Sequence, residues 1–178
     1  MRLILAIDAI FPPLTGIGRY AYELATRLPM QGDFEELRYL GMWSWADISS
    51  AGASSSGGGG ASAMSQWLGH LRRAMATKMW AVEVYDAISE VWRKRLLQQG
   101  RGAVLHSPNY FLPAYDGPSV ATVHDLSIHR FPETHPAARR RYFDLAFERS
   151  LCRADALITD SEAVRQETRS IKTAVAQA

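Results

Sequence analysis

Cysteine is almost absent. Of 178 residues only Cys152 carries a thiol, so no disulfide can form within the chain and no cysteine cluster can hold a structural zinc. A reducing compartment, by default the cytosol, is the expectation. Net charge is nearly absent as well: 20 Lys and Arg against 18 Asp and Glu leave +2, which gives no footprint for a nucleic-acid partner. No apolar run approaches the roughly 18 residues of a membrane span. Asp8 and the pair Pro12-Pro13 interrupt the N-terminal run where a secretory core would continue, so neither a signal peptide nor an integral membrane protein is expected. A Gly-x-Ser-x-Gly elbow, a His-Glu-x-x-His pair and a Walker loop are all missing, which leaves hydrolase, zinc-protease and nucleotide-triphosphatase chemistry without support. His106, His129 and His135 have no metal-ligand spacing, and no metal is expected.

Hydrophobic residues make up 47% of the chain. At this length folding removes roughly 70% of the unfolded surface from water, so residues 1–178 are expected to form a single domain with a real core. Residues 2–8 (RLILAID) form a short apolar run of the kind buried on both faces of a parallel sheet. A glycine-containing loop follows, and then Ile17, Tyr20, Leu24 and Leu28 recur at helical spacing until Pro29 and Gly32 stop them. Leu37–Trp43 reads as a second strand, giving a strand-helix-strand unit with a right-handed crossover and a parallel sheet.

From 49 to 62 the composition collapses to Ala, Gly and Ser, which cannot offset its ordering entropy and predicts a flexible loop. Met64, Trp67, Leu68, Leu71, Met75 and Met79 then share a helical face, and Val84, Ile88, Val91, Trp92 and Leu96 continue the pattern. Such a stripe packs in a core or covers a sheet. With Arg72, Arg73 and Lys78 around it, the alternative is peripheral membrane contact or an entrance for an amphiphilic acceptor. Short strands at Ala103–His106, Ser119–Val123 and Ala156–Thr159 alternate with a helix opened by His135-Pro136 and a last helix started by the capping-box pattern Thr159-Asp160-Ser161-Glu162. The alternation predicts an α/β fold, a Rossmann-like doubly wound parallel sheet.

Ligands of such sheets bind beyond the carboxyl ends of the strands. Asp8 and the loop to Gly18, His106 to Tyr110, His124-Asp125 and Asp160-Ser161 occupy those ends. Gly16-Ile17-Gly18-Arg19-Tyr20-Ala21 fits G-x-G-x-x-A, in which backbone N–H groups at a helix start receive a phosphate. However, seven residues separate Asp8 from Gly16, and no ribose-binding carboxylate ends the second strand. An anion site without a dinucleotide therefore fits better than NAD, and a plain glycine turn stays open. His124 can bond a sugar hydroxyl or move a proton, with Asp125 accepting from a hydroxyl or orienting the ring. The alternative is a strand-end turn in which Asp125 bonds backbone and His124 fills space.

Taken together, IDAIFPPLTGIGRYAYEL, LHSPNYFLP, ATVHDLSIHRFPE and LCRADALITDSEAVRQE resemble the N-terminal domain of family 4 retaining glycosyltransferases, most closely bacterial mannosyltransferase-like members. The resemblance implies the N-terminal half of a GT-B architecture and metal-independent transfer of a hexose from a nucleotide-sugar to a glycan or lipid-linked acceptor, with no cofactor beyond that substrate. It implies that Gly16, Ile17 and Gly18 approach the donor phosphates, that His124, accompanied by Asp125, meets the donor sugar near the reaction centre, and that Arg19, Asn109 and Tyr110 contact acceptor or donor. Thr15 stands where many members carry the first of two glycines. The family's paired glutamates, with seven residues between them, have no counterpart here. The C-terminal nucleotide-sugar domain is thus expected to be absent and supplied in the same or another chain, and the isolated 178 residues are expected to be inactive. A non-catalytic glycan-binding module and an NAD-type oxidoreductase are the alternatives carried forward, as is a peripheral position at the inner membrane face.

Overall fold

The computed structural model describes residues 1–11, 13–14, 16–32, 34–48 and 79–176. The expected Gly/Ser loop at 49–62 and the amphipathic stretch from Met64 to Lys78 lie outside the described residues. Six strands form one sheet: β1 (Arg2–Ala6), β2 (Glu36–Leu40), β3 (Trp45–Ala46), β4 (Val104–Ser107), β5 (Ser119–Val123) and β6 (Ala156–Thr159), in the order β3-β2-β1-β4-β5-β6. Every pairing is parallel except β2 with β3. The strand order runs outward from β1 in one direction and then, from β4, in the other. In open α/β sheets a reversal of this kind, here between β1 and β4, is where ligands bind beyond the strands' carboxyl ends.

The strands alternate between two apolar layers, as side chains of successive residues must. Ile4 joins Leu40, Leu105, Ala121 and Leu97 on one face, whereas Leu5 packs with Ile7 and Ala25 on the other, beside Leu24 of α1 (Gly16–Arg27) and Leu28 just after it. Each such fully buried Leu or Ile contributes about 1.5–3 kcal/mol through area removed from water. Helix α1 gives way to a 3₁₀ turn at Leu28–Gln31 that contains Pro29, and Gly32 ends it in the left-handed conformation (φ 76°).

Two expectations need correction. The second strand stops at Leu40 instead of reaching Trp43. Gly41 N donates to Ser44 O (3.0 Å), and Trp45–Ala46 turn back to pair antiparallel with Leu40 and Tyr39. A methyl group on Gly41 would stand 3.0 Å from the Ser44 carbonyl, so this tight reversal leaves a side chain there little room. In α2 (Met79–Leu97), Val84, Ile88, Val91 and Trp92 are 47–58% exposed, so this part of the stripe is not core. The inward side is charged instead. Asp86 pairs with Arg149, Glu90 pairs with Arg153 (2.6 Å) and accepts from Ala114 N, and Arg93 reaches Asp8. Arg149 and Arg153 lie on α4 (Ala137–Arg153), so ion pairs, which must be satisfied when buried, join these helices in place of an apolar seam.

A short α3 (Ser127–Arg130) follows β5, and α5 (Glu162–Ala176) follows β6. Phe143, Phe147 and Leu151 of α4 bury against Val123, Leu126 and Tyr110, as the apolar spacing after His135-Pro136 predicts. The cap of α5 is Ser161, whose Oγ accepts from Val164 N (3.3 Å), and not the first residue of the expected box, Thr159. Asp160 is thereby left for another role.

Candidate active site

The carboxyl ends of β4, β5 and β6 are tied together by one histidine. His124 leaves β5 with its side chain only 10% exposed. Its Nδ1 lies 2.8 Å from Asp160 Oδ2 at the end of β6, and its Nε2 lies 3.0 Å from the Pro108 carbonyl after β4. A carbonyl and an ionised carboxylate only accept, so both bonds exist together only when both ring nitrogens carry hydrogen. Two tyrosines set the ring plane edge-on: Tyr20 with centroids 4.9 Å apart and Tyr110 at 6.0 Å.

Tyr20 belongs to α1, one helical turn beyond Gly16, about 6 Å along the axis. The helix that opens at Gly16 and the histidine motif, more than a hundred residues apart in sequence, therefore touch through Tyr20 beyond the carboxyl end of β5. Gly16 opens α1 and is exposed, and a methyl group built on it would meet no atom within 4 Å. Among the described residues positive φ occurs only at Gly32 and Gly102, so the backbone conformation does not demand glycine at 16 or 18. At Gly16, then, neither backbone conformation nor neighbouring atoms require a glycine. Gly18 is buried in α1, Arg19 is exposed, and Ile17 packs against the Tyr110 and Val123 cluster as a support beneath the site.

Asp125, Tyr110 and Ser127 form a second small network. The Tyr110 hydroxyl donates to Asp125 Oδ2 (3.1 Å) and accepts from Asp125 N (3.2 Å), while Ser127 N donates to Oδ1 (2.9 Å). Burial pushes the Asp125 carboxyl up, but the bonds from Ser127 and Tyr110 outweigh it and hold the carboxyl below its usual range. Burial, and then the neighbouring Asp125 charge, raise the Tyr110 hydroxyl above its ordinary value. Tyr110 itself is 7% exposed, wedged against Phe143 and Phe147. Its hydroxyl is committed to Asp125, so it scaffolds the β5 end. Asn109 is half-buried in the same loop, its carbonyl 2.9 Å from the Ser107 hydroxyl.

Asp8 at the end of β1 meets Arg93 of α2 at 3.4 Å, the two side chains 12% and 11% exposed. His106 belongs to the interior: its Nε2 lies 3.0 Å from Thr122 Oγ1, and burial lowers its pKa from 6.5 to about 4. His129 stands 4.0 Å from Asp144. Among the described residues no group of three His, Cys, Asp or Glu could hold a metal ion, and no helix is long and apolar enough to cross a membrane.

Tyr20 is the site residue that strand-end patterns did not single out; Asp160 and the His106 to Tyr110 loop that holds Pro108 were marked by their strand ends but given no such role. Tyr20 had a usable signal in its i, i+4 relation to Gly16. Pro108 acts through a backbone carbonyl and leaves none.

Residues 62–175 match the family model described as Glycosyltransferase Family 4. The O-antigen chain mannosyltransferase B of Escherichia coli is 33% identical over 167 residues, which make up 94% of this chain and 42% of that protein. The chain thus spans less than half of that relative's length. No solved structure matches it.

Proposed function

The chain belongs to glycosyltransferase family 4, as a mannosyltransferase-like N-terminal domain of the GT-B architecture, and from that premise we propose that it is the acceptor-side half of a retaining enzyme. The enzyme moves a hexose, mannose by analogy with the relative's name, from a nucleotide-sugar to a glycan or lipid-linked acceptor. A second Rossmann-like domain, in the same or another chain, holds the nucleotide. The single observation that carries the proposal is the meeting of the Gly16 end of α1 with His124 through Tyr20. An opening helix offers free N–H groups to an anion, and the histidine stands beside it at the strand edge where ligands bind.

In this arrangement the amides around Gly16, Ile17 and Gly18 receive the donor diphosphate. His124 meets the sugar at the reacting end, with Asp125 fixed by Tyr110 and Ser127 as the rigid floor under it. Because Nε2 faces the Pro108 carbonyl, a sugar hydroxyl reaching that nitrogen takes the carbonyl's place. Arg19 and Asn109 contact acceptor or donor at the rim. The nucleotide-sugar is the substrate and no metal or other cofactor takes part. The exposed stripe Val84, Ile88, Val91 and Trp92, followed by Lys94 and Arg95, suits a cytoplasmic enzyme peripheral to the membrane face that presents a lipid-linked acceptor.

The test is a transfer assay of the complete enzyme with a panel of nucleotide-hexoses and a polysaccharide-lipid acceptor, run with and without a chelator. Transfer that survives chelation, with no turnover by the 178-residue chain alone, is the expected result. Turnover by that chain alone, or loss of transfer on chelation, would contradict the corresponding part of the proposal.

A further inference from the structure

The two rings that flank His124 fix its plane but cannot choose between its nitrogens. A half-turn of the ring about its bond to Cβ keeps the edge contacts with Tyr20 and Tyr110 and exchanges nitrogen for carbon. Only acceptors distinguish the two states. Asp160 Oδ2 lies 2.8 Å from Nδ1, and a bond with an ionised partner is roughly twice as strong as a neutral one. The Pro108 carbonyl at 3.0 Å from Nε2 is the weaker of the two anchors. Asp160 is also free for this task, because Ser161 caps α5 in its place, and it is 52% exposed where His124 is 10% exposed.

We propose that Asp160 is a positioning residue: it holds a hydrogen on Nδ1 of His124 and fixes the ring so that Nε2 is the nitrogen offered to the substrate. This inference rests on the proposal that His124 meets the donor sugar. Asp160 itself needs no contact with substrate. A carboxylate that accepts from one ring nitrogen orients the histidine and sets which nitrogen works.

The experiment compares Asp160→Ala with His124→Ala and wild type in the complete enzyme, measuring kcat and the KM for the nucleotide-sugar. Long-range ¹⁵N–¹H spectra of the chain report which His124 nitrogen carries hydrogen. Asp160→Ala is expected to lower kcat about tenfold to a hundredfold, the usual cost of removing a histidine's orienting partner, with KM changed less than about twofold because the nucleotide is held elsewhere. The Nδ1–H signature of His124 should be lost or exchange with the other tautomer. If Asp160→Ala does not fold, Asp160→Asn, which keeps the shape and removes the charge, is measured in its place. Wild-type kcat, or an unchanged His124 spectrum, in a folded Asp160 variant while His124→Ala is impaired would overturn the positioning role alone. Full activity of His124→Ala would instead overturn the reading of His124 on which it rests.

Discussion

Acidification should destabilise this domain through a residue that takes no part in the proposed chemistry. His106 is buried in β4 with Nε2 against Thr122 Oγ1, and burial takes its pKa from 6.5 to about 4. The fold therefore holds the ring neutral while the unfolded chain protonates it first. Between those two values the unfolded state binds more protons, so stability rises with pH through that window and falls as the solution is acidified. The contribution is complete above about pH 6.5; about 2 kcal/mol of it is lost by pH 5 and about 3 kcal/mol by pH 4. Against the ~5–15 kcal/mol that stabilises an ordinary domain, that is a large share. Urea unfolding of wild type and His106→Asn at a series of pH values isolates the effect, since carboxylates titrating near pH 4 are common to both. The stability difference between the two proteins should shrink or reverse as the pH falls from 7 to 4. A difference that stays constant over that range, or a His106 ring that titrates near 6.5 in an NMR experiment, would refute the reasoning.

Two further expectations concern the site's supports. Tyr110→Phe removes both bonds between the hydroxyl and Asp125 and should cost about 2–3 kcal/mol, since one is charge-assisted and the other leaves a backbone amide unpaired; a double-mutant cycle with Asp125→Ala should show a coupling of at least about 1 kcal/mol. The Asp125 share of that stability is present above about pH 4, its ordinary range, and is lost as the pH falls through its depressed folded pKa. Gly16→Ala should leave urea stability within about 0.5 kcal/mol of wild type, because the added methyl meets nothing within 4 Å, yet raise the KM for the nucleotide-sugar severalfold if phosphate approaches there; an unchanged KM would remove the glycine loop from the site.

Much of the architecture was legible in the residue pattern, for a local reason. Ser119–Val123 and Ala156–Thr159 are short apolar runs bounded by turn residues, and both are strands over those same residues. Where the pattern misled, a distant partner decided. The run Leu37–Trp43 looks continuous, but the approach of Gly41 to Ser44 folds it back. The apolar face of α2 points outward because Asp86, Glu90 and Arg93 find Arg149, Arg153 and Asp8 on other elements, and no periodicity within one helix reveals those partners. The site behaved the same way. His124 and Asp125 stood out at a strand end, whereas the anchors that orient them come from α1, the β4 loop and β6. Tyr110, expected as a ligand contact, also holds Asp125 through its hydroxyl.

The central claim is that His124 serves sugar transfer rather than the fold alone. Its most direct test is hexose transfer by the complete enzyme carrying His124→Ala, measured beside urea unfolding of the same protein. Loss of the two ring bonds should cost about 2–4 kcal/mol of stability and leave the protein folded, while transfer falls at least about a hundredfold, as when a positioned acid–base or hydrogen-bonding group is removed. A folded variant that transfers at the wild-type rate would contradict the account.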